Sequence, residues 1–129
     1  MSVVRQLRVR LENRPGALAE LCSELGKRAV NIVAIQGSEA GSGGPIRVVA
    51  QPADTARKVI EGMKLSCTEE PAIAVKLSER PGALGRVTRK LADAGINIEY
   101  IYGTIEKGSQ RALIVIGVTD VTAAARIVK

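Results

Sequence analysis

"NRPGALAEL", residues 13–21, stands 66 positions ahead of "ERPGALGRV", residues 79–87, and no insertion or deletion is needed to lay one on the other. The shift holds on both sides of the phrase. Upstream, Leu7, Val9 and Leu11 alternate with Gln6, Arg8 and Arg10, a period of two that predicts a strand with one buried face, and they fall on Ile73, Val75 and Leu77. Downstream, Leu18, Leu21, Cys22 and Leu25 recur at helical spacing, as do Leu84, Val87 and Leu91. Each copy therefore reads as a strand, a sharp Pro-Gly turn and an amphipathic helix.

The rest of each copy continues in step. "VNIVAI" and "INIEYIY", then "PIRVVA" and "RALIVIGV", are rich in β-branched residues and are separated by the Gly-containing stretches "EAGSGG" and "EKGSQ", which predicts a hairpin in each copy. "ADTARKVIEGM" and "TDVTAAARIVK" read as helices, with Asp54 and Asp120 placed to favour a helix N-terminus. A short strand, "KLSCT", completes the first unit. The order is that of an α+β, ferredoxin-like βαββαβ arrangement, an antiparallel four-stranded sheet with two helices on one face. The expected domains are 1–68 and 69–129. The second copy ends at Lys129, inside its last helix, so it is expected to lack its own last strand and to leave the edge beside "AIAVKLS" unpaired. A second copy of the chain is the expected cover, which predicts a homodimer or higher homo-oligomer. Units of this size are marginal alone and are expected to lean on each other or on a partner.

Composition narrows the chemistry. Hydrophobic residues make up 46% and charged residues 25% of the 129, as in a globular protein. With two Tyr and no Phe or Trp, the cores have to be built from Leu, Ile, Val and Ala. No run approaches 18 apolar residues and the Arg-bearing N-terminal stretch has no apolar core, so neither a membrane span nor an export signal is expected, and the chain reads as cytoplasmic. Cys22 aligns with Thr88 and Cys67 does not recur, so two reduced thiols are expected. No His and only two Cys leave too few ligands for a structural zinc site, and no cofactor is expected. The net charge of +6 divides as +4 for residues 1–68 and +2 for 69–129, without a run of like charges.

The repeated phrase has a physical reading. Arg14, before a proline, is pushed toward extended geometry, while Pro15 fixes its own φ. Gly16 can turn at positive φ and lets a ligand approach the backbone. The helix behind it presents amides, expected from Ala17 and Leu18, to a small carboxylate. Gly82, Ala83 and Leu84 repeat the arrangement. Asn31, next to Ile32, and Asn97 open the following strand with a carboxamide that both donates and accepts, suiting the ammonium and carboxylate of an amino acid. A turn cap is their alternative role.

A strand followed by "NRPGAL", a helix, "NI" and a second strand resembles the ACT domain, and the resemblance covers essentially the whole chain as two tandem copies. It is similar in particular to the serine-sensing module of phosphoglycerate dehydrogenase and to the small regulatory subunit of acetolactate synthase. The resemblance implies a regulatory module that binds an amino acid at a junction of ACT domains, with contacts from Asn13 and Asn31 in the first copy and from Glu79 and Asn97 in the second. A histidine that the serine-sensing module carries two residues before the first Asn is replaced by Leu11. Glu79 opposite Asn13 makes the two half-sites unequal. Arg14 and Arg80 are candidates to bond a ligand carboxylate. Ala29, where the second copy has Gly95, suggests that the first helix ends differently.

Two rival functions share this strand order. An RNA-binding module stacks bases on aromatics of its central strands, but "QLRVRLE" and "PIRVVA" have none, and Tyr100 and Tyr102 fall on another strand. An acylphosphatase-like enzyme uses a longer, more Gly-rich loop, and the chain offers no nucleophile with a matching base. The expectation is a non-enzymatic regulator that binds a small amino acid and signals to a biosynthetic enzyme in trans or to another partner, with no nucleic acid or membrane involved.

Overall fold

The computed structural model describes residues 2–38, 45–77, 80–104 and 113–128. Among them twelve elements follow one another: β1 (Ser2–Val4), β2 (Gln6–Arg10), α1 (Ala17–Lys27), β3 (Asn31–Gly37), β4 (Pro45–Gln51), α2 (Ala53–Gly62), β5 (Cys67–Glu69), β6 (Ala72–Lys76), α3 (Ala83–Asp93), β7 (Ile98–Thr104), β8 (Leu113–Val118) and α4 (Val121–Ile127). The two Gly-containing hairpin turns of the sequence reading and Glu79 lie outside the described residues.

The strands form two antiparallel four-stranded sheets, ordered β3-β4-β2-β5 and β1-β6-β8-β7. These are the two ferredoxin-like units, and the chain divides into Arg5–Glu70 and Pro71–Lys129, the latter joined by Met1–Val4. In the first unit Leu7, Val9 and Val48 face α1 and α2 and bury with Leu21, Leu25 and Ile60; in the second, Ile73, Val75 and Ile116 bury with Leu91 and Ala124. Even the irregularities repeat: the pairing of β3 with β4 shifts between Ile32 and Ala34, and that of β7 with β8 between Ile98 and Tyr100.

The open edge expected along β6 does not exist. Residues 2–4 occupy it as β1, with Ser2 opposite Ala74, Val3 opposite Ile73 and Val4 opposite Ala72. In the first unit β5 fills the same place, with Leu7 opposite Glu69 and Arg8 opposite Thr68. Adding 66 to Ser2 and Val3 gives Thr68 and Glu69, so β1 and β5 are counterparts held in the same register. Each repeat lends its first strand to the other unit. Connection length explains why. Arg5 alone separates β1 from β2, and Glu70 and Pro71 separate β5 from β6. One residue cannot reverse a chain, and a two-residue hairpin needs positive φ that a Glu-Pro pair does not favour. Both strands therefore run straight on instead of folding back.

The last strand of the first unit is also displaced from the expected Lys64–Thr68. Lys64 takes positive φ (61°) and belongs to the end of α2, donating to Glu61 O at 2.9 Å while Leu65 N donates to Ile60 O at 3.3 Å. That is the Schellman pattern, with an αL residue just past the helix. Ala29 does the same after α1, at φ 57° with its amide on Gly26 O and Val30 N on Leu25 O. Gly95 does so after α3, at φ 73°. The first helix thus ends as its twin does, despite the missing glycine.

Candidate functional site

Each "RPGA" is a type II turn. Gly16 (φ 90°, ψ −17°) and Gly82 (φ 87°, ψ −2°) occupy the position that requires positive φ, each preceded by proline. The turns close through Ala17 N donating to Arg14 O at 3.3 Å and Ala83 N to Arg80 O at 3.1 Å. This corrects one expectation: the amides of Ala17 and Ala83 serve the turn, and their side chains are buried in the two cores, so neither offers a donor to a ligand. Leu18 and Leu84 stand in the first helical turn, where amides lack an intrahelical partner. Leu18 is largely exposed, while Leu84 packs partly against its core.

A cavity of about 390 Å³ opens beside the first turn. Arg10, Leu11, Glu12, Arg14, Glu20 and Met63 are among its lining residues. Its charges are balanced internally. Arg14 donates through Nε to Glu12 Oε2 at 2.6 Å and through Nη2 to Glu20 Oε2 at 3.0 Å. The Glu20 carboxyl is held below the usual carboxylate range by the bond from Arg14, and Arg14 in turn is raised by the bonds to Glu20 and Glu12. A ligand carboxylate that reaches Arg14 has to compete with both glutamates. Asn13 is exposed on the same loop. Glu12, Glu20 and Met63 escaped the sequence reading. The repeat itself held a signal, since Glu20 aligns with Arg86 and a change of charge sign inside an otherwise matched phrase marks an environment that differs.

Asn31 and Asn97 are exposed at the starts of β3 and β7. No side-chain hydrogen bond to either carboxamide occurs among the described residues, so the capping alternative is not what holds them. Ile32 packs partly against the first core. The register separates each asparagine from the turn of its own unit. Asn31 lies opposite Gln51, whereas Gly37 lies opposite Ile46, level with Arg10 opposite Pro45 at the end of β2 that leads to the turn. Six residues at about 3.3 Å each put the two ends roughly 20 Å apart. In the second unit Ile98, next to Asn97, is opposite Val118, while Lys76, ahead of the turn at Arg80 and Gly82, is opposite Leu113 at the far end of β8. Neither unit alone joins its asparagine to its turn.

The arginines of the first sheet are partly committed. Arg47 donates to Glu70 Oε1 at 2.8 Å and to Gln36 Oε1 at 3.2 Å, and Arg8 lies 3.8 Å from Glu70. Tyr100 and Tyr102 are on β7, an edge strand, where the Tyr100 ring covers Gly117 so closely that a Cβ there would overlap it. Among the described residues no group of three His, Cys, Asp or Glu side chains is gathered as a metal site, and no helix is long and apolar enough to cross a membrane.

The sequence profile of the ACT domain matches residues 5–61 and again 72–129. Among solved structures, protein BT0572 from Bacteroides thetaiotaomicron superposes with a TM-score of 0.88 at 26% identity, over 97% of this chain and 85% of that one. The regulatory subunit of aspartate kinase from Thermus thermophilus, in a ligand-free form, superposes at 0.65 with 19% identity over 99% and 95%. The aspartokinase α and β subunits give 0.59 at 14% identity over 98% and 94%. No curated protein sequence matches the chain. Two profile matches that together cover most of the chain, each taking in three strands and both helices of one four-stranded unit, make this chain a tandem member of the ACT-domain family.

Proposed function

We propose that the protein is a non-enzymatic regulator that binds a small amino acid, taking the Pro-Gly turn from one ACT domain and the asparagine from another. The observation that carries this is the separation of Asn31 and Asn97 from their own turns, with both carboxamides unengaged among the described residues. Membership of the ACT family and the likeness in fold to the regulatory subunit of aspartate kinase support the amino acid as ligand and an enzyme in trans as the recipient of the signal. Asn13, Arg14, Gly16 and Leu18 form one half-site and Arg80, Gly82 and Leu84 the other, the two being unequal because Glu79 stands where the first has Asn13. Self-association no longer rests on an open β6 edge. Val33 and Ile35, exposed on the edge strand β3, are the apolar surface that supports it instead.

The test is a thermal-shift screen of the twenty amino acids on the wild-type chain and on Asn31→Ala. A matching amino acid at about one hundred times its dissociation constant stabilises by about 2.7 kcal/mol. Asn31→Ala is expected to leave the melting temperature without amino acid unchanged and to reduce the shift. No shift with any amino acid, or a full shift in Asn31→Ala, overturns the reading.

A further inference from the structure

The second unit has a cavity of about 290 Å³ between the end of β6, α3 and the end of α4. It is the 66-residue counterpart of the cavity beside Arg14: Lys76, Leu77 and Ala83 replace Arg10, Leu11 and Ala17 in the lining. Its charge is of a different kind. Arg86 stands where the first unit has Glu20, and Lys90 where it has Glu24. Lys76, Arg86 and Lys90 all line the space, and among the described residues no acidic side chain lines it and none of the three cations has an ion pair. The Arg86 guanidinium lies against the turn, Nη1 being 3.2 Å from where a Cβ on Gly82 would stand. Val87, Leu77 and Val128 supply an apolar floor.

We propose that this cavity binds a small aliphatic dianion. Three cations around one concavity leave a positive excess that a single carboxylate does not neutralise, and the apolar floor suits a short hydrocarbon body. An amino acid zwitterion fits poorly, because its ammonium meets three like charges and no acid among the described residues. The cavity adjoins the second turn, which the amino-acid reading also uses, but the dianion rests on the cations of β6 and α3 and needs neither asparagine.

The experiment is a ¹H–¹⁵N NMR titration of the full chain, at fixed ionic strength, with succinate, with methyl phosphate and with the neutral succinamide. Saturable shifts confined to Lys76, Ala83–Lys90 and Val128 are expected with a dianion and not with succinamide, and the tighter of the two dianions identifies the head as dicarboxylate or phosphate. Arg86→Glu is expected to weaken binding at least about tenfold and Arg86→Gln severalfold; both side chains replace an exposed one, and dispersed spectra verify that they fold. Arg89→Gln, which removes a charge from the same helix outside the cavity, is expected to change nothing. Absence of saturable shifts, or equal weakening by Arg89→Gln and Arg86→Gln, overturns the proposal. Succinate carries no ammonium, so a failed amino-acid screen leaves this result standing, and the converse holds.

Discussion

Ala29 occupies a left-handed backbone conformation at φ 57° that costs an L-residue with a Cβ about 1–2 kcal/mol. It does so because Val30, the next residue, is buried in the first core and the helix must turn sharply to deliver it there. Replacing Ala29 with Gly removes the strain but adds freedom to the unfolded chain, worth about 0.4–1 kcal/mol in the opposite sense. The net expectation is a stabilisation of about 0.5–1 kcal/mol in chemical denaturation, with no change in the amino-acid response; a destabilised variant contradicts it. From the sequence, Gly95 announced its helix end and Ala29 concealed the equivalent one, because the preference for glycine is local while the burial of Val30 is a tertiary demand. The Pro-Gly turns were legible for the opposite reason, since Pro and Gly at adjacent positions leave type II as the natural geometry. That the turn consumes the amides of Ala17 and Ala83 depends on how it closes, which residue identity alone does not reveal.

At the scale of elements, the helices and the paired inner strands follow from periodicity, whereas β5 was misplaced because Lys64 and Leu65 continue an apolar-polar alternation that the end of α2 overrides. Where β5 leaves for β6 and β1 arrives at β2, a polar cluster holds the strands. Arg5 donates to Asp54 Oδ1 at 2.7 Å and to Glu69 Oε1, and buried Gln6 donates through Nε2 to Glu70 O at 3.3 Å while accepting from Glu70 N at 2.7 Å. Bonds from Arg5 hold the Asp54 and Glu69 carboxyls below their ordinary values. A depressed carboxyl contributes stability above its unfolded pKa and loses it as the pH falls through the folded value. The destabilisation caused by Arg5→Ala is accordingly expected to be larger at about pH 7 than at about pH 3, below the usual carboxylate range. Melting curves of both proteins at constant ionic strength measure it, and an equal difference at the two pH values counts against the cluster. Exposure of these groups keeps the effect small and salt-sensitive.

For the whole molecule, the repeat was plain in the sequence but its closure was not, because a linear reading assigns each strand to the copy it stands in. The three residues Ser2–Val4 carry no sign of their partner; only the register shows that Val3 is to Ile73 what Glu69 is to Leu7. The asparagines are a similar case: the sequence names them, but only the register shows that a full strand length separates each from the turn of its own unit. Removing residues 1–4 strips β6 of its edge partner, although Ala72, Ile73, Ala74 and Val75 are all buried. Hydrogen exchange at β6 amides is expected to accelerate strongly in that truncation, while the amides of β2 and β4 keep their protection. Equal loss in both units, or no loss in either, is the contrary result.

The lending of strands also sets an order on synthesis. A ribosome that adds about 5–20 residues per second reaches β6 roughly 4–14 s after it has made β1. Throughout that interval the first unit can acquire every strand it needs, β5 included, while three N-terminal residues have nowhere to pair. A strand made well before β6 is thus placed only once β6 exists, and its docking must close a loop of nearly seventy residues. Until then an apolar strand edge in the growing second unit is open to the same segment of a neighbouring nascent chain. Crowded polysomes are where this protein is most exposed to exchanging its first strand with the wrong copy of itself.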